Sequence, residues 1–200
     1  MLGRTNERIG LFFGSFNPIH LGHLIIANYI LENTDLNKIW FIVSPQNPLK
    51  NTNDLLDDTI RLKLVRLAIK NNNKFKASDI EFKLSKPSYT INTLKYLKSK
   101  HKTKDFVLIV GEDNLDSFEK WKDYREILND YELYVYPRTN SKANKNLNFQ
   151  NIHKINAPLI EISSTYIREN IKLNKSIRYL LPEVVRKEIE KNNYYCNSQD

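Results

Sequence analysis

Three short, unbroken apolar runs constrain this chain most: Ile9–Phe13, Ile39–Val43 and Phe106–Val110. A strand with one wet face alternates apolar and polar residues; a strand covered on both faces does not. The segments around these runs carry apolar residues at helical spacing instead. Leu21–Leu31 is one, with polar His23 and Asn28 inside it and Glu32 just after. Asp57–Lys70 is a second: Ile60, Leu62, Leu64, Val65, Leu67, Ala68 and Ile69 give it a broad apolar face. Asp57 and Asp58 suit its first turn, where carboxylates complement the helix dipole. Ser88–Lys100 reads as a helix opened by a Ser/Thr-rich turn, and Leu133–Val135 as another strand. Ser164–Leu173 and Pro182–Asn192 read as closing helices, Pro182 in a first turn. Ser44–Asn53 and Lys142–Asn151 are polar and read as loops.

This alternation predicts an α/β fold, a parallel twisted sheet with helices on both faces and a small C-terminal helical portion. No internal repeat or linker breaks the chain, so residues 1–200 read as one domain. In such sheets ligands bind beyond the carboxyl ends of the strands. Chemistry is therefore expected in the loops after Phe13, Val43 and Val110.

Composition narrows the classes without choosing among them. A hydrophobic share of 40% is globular rather than disordered. No apolar run approaches the roughly 18 residues that cross a bilayer, and the polar start MLGRTNERIG is no signal peptide. The single cysteine, Cys196, excludes an intrachain disulfide scaffold or a Cys-based metal cluster and points to a reducing cytoplasm. A net charge of +8 suits nucleic acid and small polyphosphates alike, and the lysines are spread along the chain.

Two motifs carry chemistry. The first runs from Gly14 to His23 (GSFNPIHLGH), between the first strand and the first helix. Gly14 lacks a Cβ and lets backbone approach a phosphate; Pro18 fixes the turn. His20 and His23 stand three apart at a helix start and so share a face. The helix N-terminus adds free N–H donors and partial positive charge. Zinc is an unfavoured alternative: only His101 and His153 remain as imidazoles, both in polar segments, and no carboxylate lies near in sequence. The second motif, Ile162–Arg168 (ISSTYIR), leads from a strand-like stretch into a helix. Ser163 or Ser164 can cap that helix, and Arg168 lies one turn beyond Ser164 on the same face, a second anion cradle. No Walker-type Gly-Lys-Ser occurs, and no Ser or Cys nucleophile with a base is evident. What remains is transfer at phosphorus by positioning and charge stabilisation.

The Gly14–His23 segment resembles the T/HxGH signature of the nucleotidyltransferase superfamily, and Ile162–Arg168 its ISSTxIR signature. Within it the chain most resembles bacterial nicotinate-nucleotide adenylyltransferases, from about Ile9 to Tyr194. PQNPLK at 45–50, PSYTINTL at 87–94 and VGEDNL at 110–115, with Phe118 and Trp121 following, are the intermediate landmarks. The resemblance implies a Rossmann-like fold with a catalytic core over about 9–194. It also implies a reaction of ATP with nicotinate mononucleotide giving deamido-NAD and pyrophosphate, with Mg2+ held mainly by the ATP phosphates. It assigns His20, His23 and Arg168 to catalysis, and Gly14, Ser15, Phe16, Gly111, Asp113, Ile162, Ser163 and Ser164 to ATP. Lys50, Ser88, Tyr89, Thr90 and Trp121 fall to the mononucleotide, with Trp121 stacked on the pyridine ring; packing on Leu128 is the plainer alternative.

Two residues depart from the family pattern. Asn17 stands where aspartate is commoner, removing a charge beside the phosphates, and Leu49 where many members have histidine. Nicotinamide mononucleotide and phosphopantetheine are the rival acceptors, and a nucleic-acid-binding or nucleotide-sensing protein without catalysis is the rival of another class. Neither a nucleic acid nor a membrane is expected as partner; a homo-oligomer stays open.

Overall fold

The computed structural model describes residues 6–45, 55–139 and 150–196. Among these, six strands form one parallel sheet: β1 Glu7–Gly14, β2 Lys38–Val43, β3 Phe75–Ser78, β4 Lys104–Gly111, β5 Glu132–Tyr136 and β6 Ile152–Lys154. Their order is β3-β2-β1-β4-β5-β6. From β1 the chain winds outward through β2 and β3, then returns to β4 and winds the other way. The switch lies between β1 and β4, where a Rossmann-like sheet opens a crevice at its carboxyl edge.

Helices cover both faces. One face carries α1 Leu21–Asn33, α2 Asp58–Ile69, α6 Ser164–Lys172 and α7 Glu183–Lys191; the other carries α3 Thr90–Lys100 and α5 Tyr124–Asp130. The single turn α4, Glu112–Leu115, follows β4. The unbroken apolar runs divide by alternation between two cores. Ile9, Leu11, Trp40, Ile42, Phe106, Leu108 and Val110 meet α3 and α5. Phe12, Ile39, Phe41, Val43, Val107 and Ile109 meet the other four helices. The C-terminal helices belong to the same core as α1 and α2, through Ile167, Val185 and Ile189.

Two sequence expectations change, and two strands are added. The stretch before Ser163 has no strand partner; it crosses the carboxyl edge as irregular chain. The helix predicted from Ser88 starts at Thr90, with Tyr89 as its cap. Strands β3 and β6 are short edge strands of four and three residues, too brief and too exposed for periodicity to mark. At the amino edge, Arg8 is 4% exposed and reaches across β4 to Glu132, with both guanidinium bonds at 2.9 Å.

Candidate active site

The first signature is built on a tightly packed loop. Phe16 has φ 46°, in the left-handed region, and its ring is buried against Phe12, Phe41 and His23. A Cβ on Gly14 would lie 2.9 Å from that ring, so the glycine here makes room for Phe16. The aromatic side chain thus belongs to the core, leaving only backbone at that position to face a ligand. Asn17 is also turned inward. Its Oδ1 accepts from the Leu56 N–H at 3.2 Å and from the Tyr195 hydroxyl at 2.9 Å. The departure from aspartate therefore sits in a buried joint, where a full charge would need a counter-charge.

His20 caps α1 and is 3% exposed, while His23 is half-buried. Their rings stack with centroids 3.7 Å apart. The His20 backbone N–H donates to His23 Nδ1 at 3.3 Å, so neutral His23 carries its proton on Nε2. Burial, with the charge of Arg138 behind it, pushes the His20 pKa down to about 3. At neutral pH His20 is a neutral imidazole.

The second signature closes on the first. Ser163 caps α6 by accepting from the Tyr166 N–H at 3.1 Å. Ser164 Oγ donates to the Pro18 carbonyl at 2.9 Å, and Arg168 Nη1 to the Asn17 carbonyl at 3.0 Å. A Cβ on Gly22 would come within 3.0 Å of both His20 Nδ1 and the Ile160 side chain; its absence lets the segment before α6 lie against α1. His20, His23, Ile160 and Ile162 line one cleft with Tyr136, Pro137 and Arg138. The two motifs, about 140 positions apart, become the walls of that cleft.

Gly111 ends β4, and Asp113 stands exposed just beyond it, 3.8 Å from Arg138 Nε. Arg138 lies over the Tyr136 ring at 5.3 Å. Sequence reasoning missed Tyr136 and Arg138. Their only signal was position, at and just past the carboxyl end of a strand.

The remaining predicted residues form a second group, on the α3 face. Ser88 and Tyr89 precede α3 and Thr90 begins it; among the described residues, Ser88 Oγ is buried without a hydrogen-bond partner. Trp121 packs on Phe118, with centroids 4.8 Å apart, against the core that also holds Leu128. The Lys122 ammonium sits 4.8 Å over the Tyr89 ring, joining the Trp121 segment to the start of α3. Lys50 and Leu49 lie outside the described residues; Ser15 is half-buried just after β1.

The cytidylyltransferase-like family model matches residues 11–170. A probable nicotinate-nucleotide adenylyltransferase of Flavobacterium psychrophilum is 55% identical over 190 residues, covering 94% of this chain and 98% of that one. A like-named protein of Cytophaga hutchinsonii is 54% identical, covering 95% and 99%. Among solved structures, Plasmodium falciparum nicotinic acid mononucleotide adenylyltransferase complexed with NaAD superposes with a TM-score of 0.80 over 94% of this chain and 97% of that one. At 20% identity that is a likeness of fold.

Proposed function

The chain belongs to the cytidylyltransferase-like family, and on that premise we propose that it is a nicotinate-nucleotide adenylyltransferase, joining ATP and nicotinate mononucleotide to give deamido-NAD and pyrophosphate. The observation that carries this reading is the meeting of both signatures in one cleft at the β1/β4 switch. The names borne by relatives at 55% and 54% identity support the acceptor. The residues 1–200 are read as one catalytic unit, with its core over about 9–194, acting in the cytoplasm. Among the described residues no helix is long and apolar enough to cross a membrane.

A phosphate oxygen of the mononucleotide attacks the ATP α-phosphorus, and the bond to the pyrophosphate oxygen breaks as the new one forms. No enzyme-bound intermediate is needed. His23 offers its Nε2–H, and the amino ends of α1 and α6 offer N–H groups, to the charge that spreads over phosphate oxygens. Neutral His20 orients its partner. Ser164 and Arg168 clamp the Asn17–Pro18 turn from one side, and Arg168 keeps further N–H donors for the outer phosphates. Gly111 and Asp113 border the adenosine portion. Among the described residues no three His, Cys, Asp or Glu side chains gather as a metal cage. Mg2+ held mainly on the ATP phosphates would neutralise charge there.

ATP labelled at the α-phosphorus tests the reaction: the label should pass to a dinucleotide only when nicotinate mononucleotide is present. Label retained on the protein would contradict direct attack. For the acceptor side, Trp121→Ala is expected to raise the mononucleotide KM about tenfold with little change in kcat, the loss of one ring stacked on a pyridinium. An unchanged KM would remove Trp121 from the site.

A further inference from the structure

Beneath the loops just described lies a buried cation that the proposed chemistry does not use. Arg61, on α2, is 0% exposed. Its guanidinium donates to four backbone carbonyls: Nε to Leu56 at 2.8 Å, Nη1 to Ser15 at 2.6 Å and to Ser44 at 2.8 Å, and Nη2 to Pro45 at 3.0 Å. These belong to three separate segments, the loop after β1, the loop after β2 and the approach to α2. Among the described residues, Asp58 and Asp57 act on it only through space. Stripping a guanidinium of water costs several kcal/mol when no carboxylate contacts it. A methionine would fill the same space without that cost, but would leave the four carbonyls without this donor. What the guanidinium adds is geometry, a planar fork that fixes several carbonyls relative to one another.

The fork is also linked to the other face of the sheet. Ser44, whose N–H donates to the Gly14 carbonyl at 3.0 Å, gives its carbonyl to Arg61, and its side chain beside Glu81 opposes the rise in that carboxyl's pKa that burial causes. Glu81 is 2% exposed and accepts from Thr93 Oγ1 at 2.9 Å. Thr93 lies on α3, one turn past Thr90. A path thus runs from half-buried Ser15 through buried Arg61, half-buried Ser44 and buried Glu81 to the first turns of α3.

We propose that Arg61 is a positioning residue for the transfer step: with Ser44 and Glu81 it fixes the spacing between the Ser15–Asn17 loop and the amino end of α3. This rests on the adenylyltransferase reading, in which ATP phosphates meet the first loop and the mononucleotide meets the start of α3. Direct transfer needs attacking oxygen and phosphorus held together in line, and a misplacement of about 1 Å costs on the order of 10²-fold in rate. The effect therefore falls on kcat.

The test compares Arg61→Met, Arg61→Lys, Glu81→Gln and Glu81→Ala in the full chain, with ATP and nicotinate mononucleotide as substrates. Arg61→Met is expected to lower kcat about 10²-fold while both KM values stay within about threefold. Arg61→Lys should recover about tenfold of that, since an ammonium meets at most three of the four carbonyls. Glu81→Gln, which can still accept from Thr93, should stay within about threefold of the native kcat, and Glu81→Ala should lose about tenfold. Amide hydrogen exchange gives a readout independent of turnover: Phe16, Asn17 and Ser44 should exchange faster in Arg61→Lys, with the β4 amides unchanged. A merely stabilising residue would speed exchange throughout and leave kcat per folded molecule intact. Native kcat in Arg61→Met, a loss confined to KM, or unchanged loop exchange in Arg61→Lys each overturns the inference. If the native chain releases no pyrophosphate, the functional reading falls and the exchange pattern alone decides on the lock.

Discussion

His23→Ala is expected to lower kcat by about 10²- to 10³-fold, the usual cost of removing one preorganised donor to a developing oxyanion. KM for ATP should change little, because the Nε2–H matters most as charge moves onto the phosphate oxygens. The site makes this a clean substitution. His23 is half-buried, its Nδ1 is held by the His20 N–H at 3.3 Å, and its ring borders Phe16 at 5.1 Å. Loss of the ring leaves a gap open to the cleft, with a stability cost of about 1 kcal/mol. Steady-state pyrophosphate release and a urea melt check both halves. A kcat within about threefold of native would remove His23 from the chemistry.

His20 calls for a different experiment, because it is 3% exposed and carries the other imidazole at 3.7 Å. Its expected signature is in stability against pH. In the unfolded chain it takes a proton near its ordinary 6.5; in the folded protein it resists down to about 3. The unfolded state therefore binds the extra proton throughout that window, and stability falls as pH is lowered through it. The contribution is whole above 6.5 and declines by about 1.4 kcal/mol per pH unit below it. Between pH 6.5 and 4.5 the native protein should lose on the order of 3 kcal/mol more than His20→Asn, which cannot titrate there. Urea unfolding at both pH values measures the difference. Equal losses in the two proteins would mean that His20 titrates normally and is not sealed in the fold.

Much of this architecture was legible because its strands are covered on both faces. Unbroken runs such as FVLIV at 106–110 have few other homes than a parallel sheet, and their placement fixed where loops could carry chemistry. Both signatures were visible as residues, and the structure brings them together through Ser164, Arg168 and Gly22. The internal use of some motif residues was not legible. Phe16 and Asn17 look exposed in a polar turn, yet one fills the core and the other accepts two buried hydrogen bonds. Arg61 sits at a helical position between Ile60 and Leu62, and nothing local says that its partners are carbonyls from distant loops. Arg138 and Tyr136 carry no motif; only their position at the carboxyl end of β5 places them beside His20. Short edge strands β3 and β6 escaped because pairing, rather than composition, defines them.

The central claim is that the cleft between the two signatures transfers adenylate to nicotinate mononucleotide. Purified protein with ATP and Mg2+, given nicotinate mononucleotide, nicotinamide mononucleotide or phosphopantetheine in separate reactions, tests it through the rate of pyrophosphate release. The account predicts the highest kcat/KM with nicotinate mononucleotide and deamido-NAD as the product. Release with phosphopantetheine alone, or no release with any acceptor from folded protein that binds ATP, would contradict it.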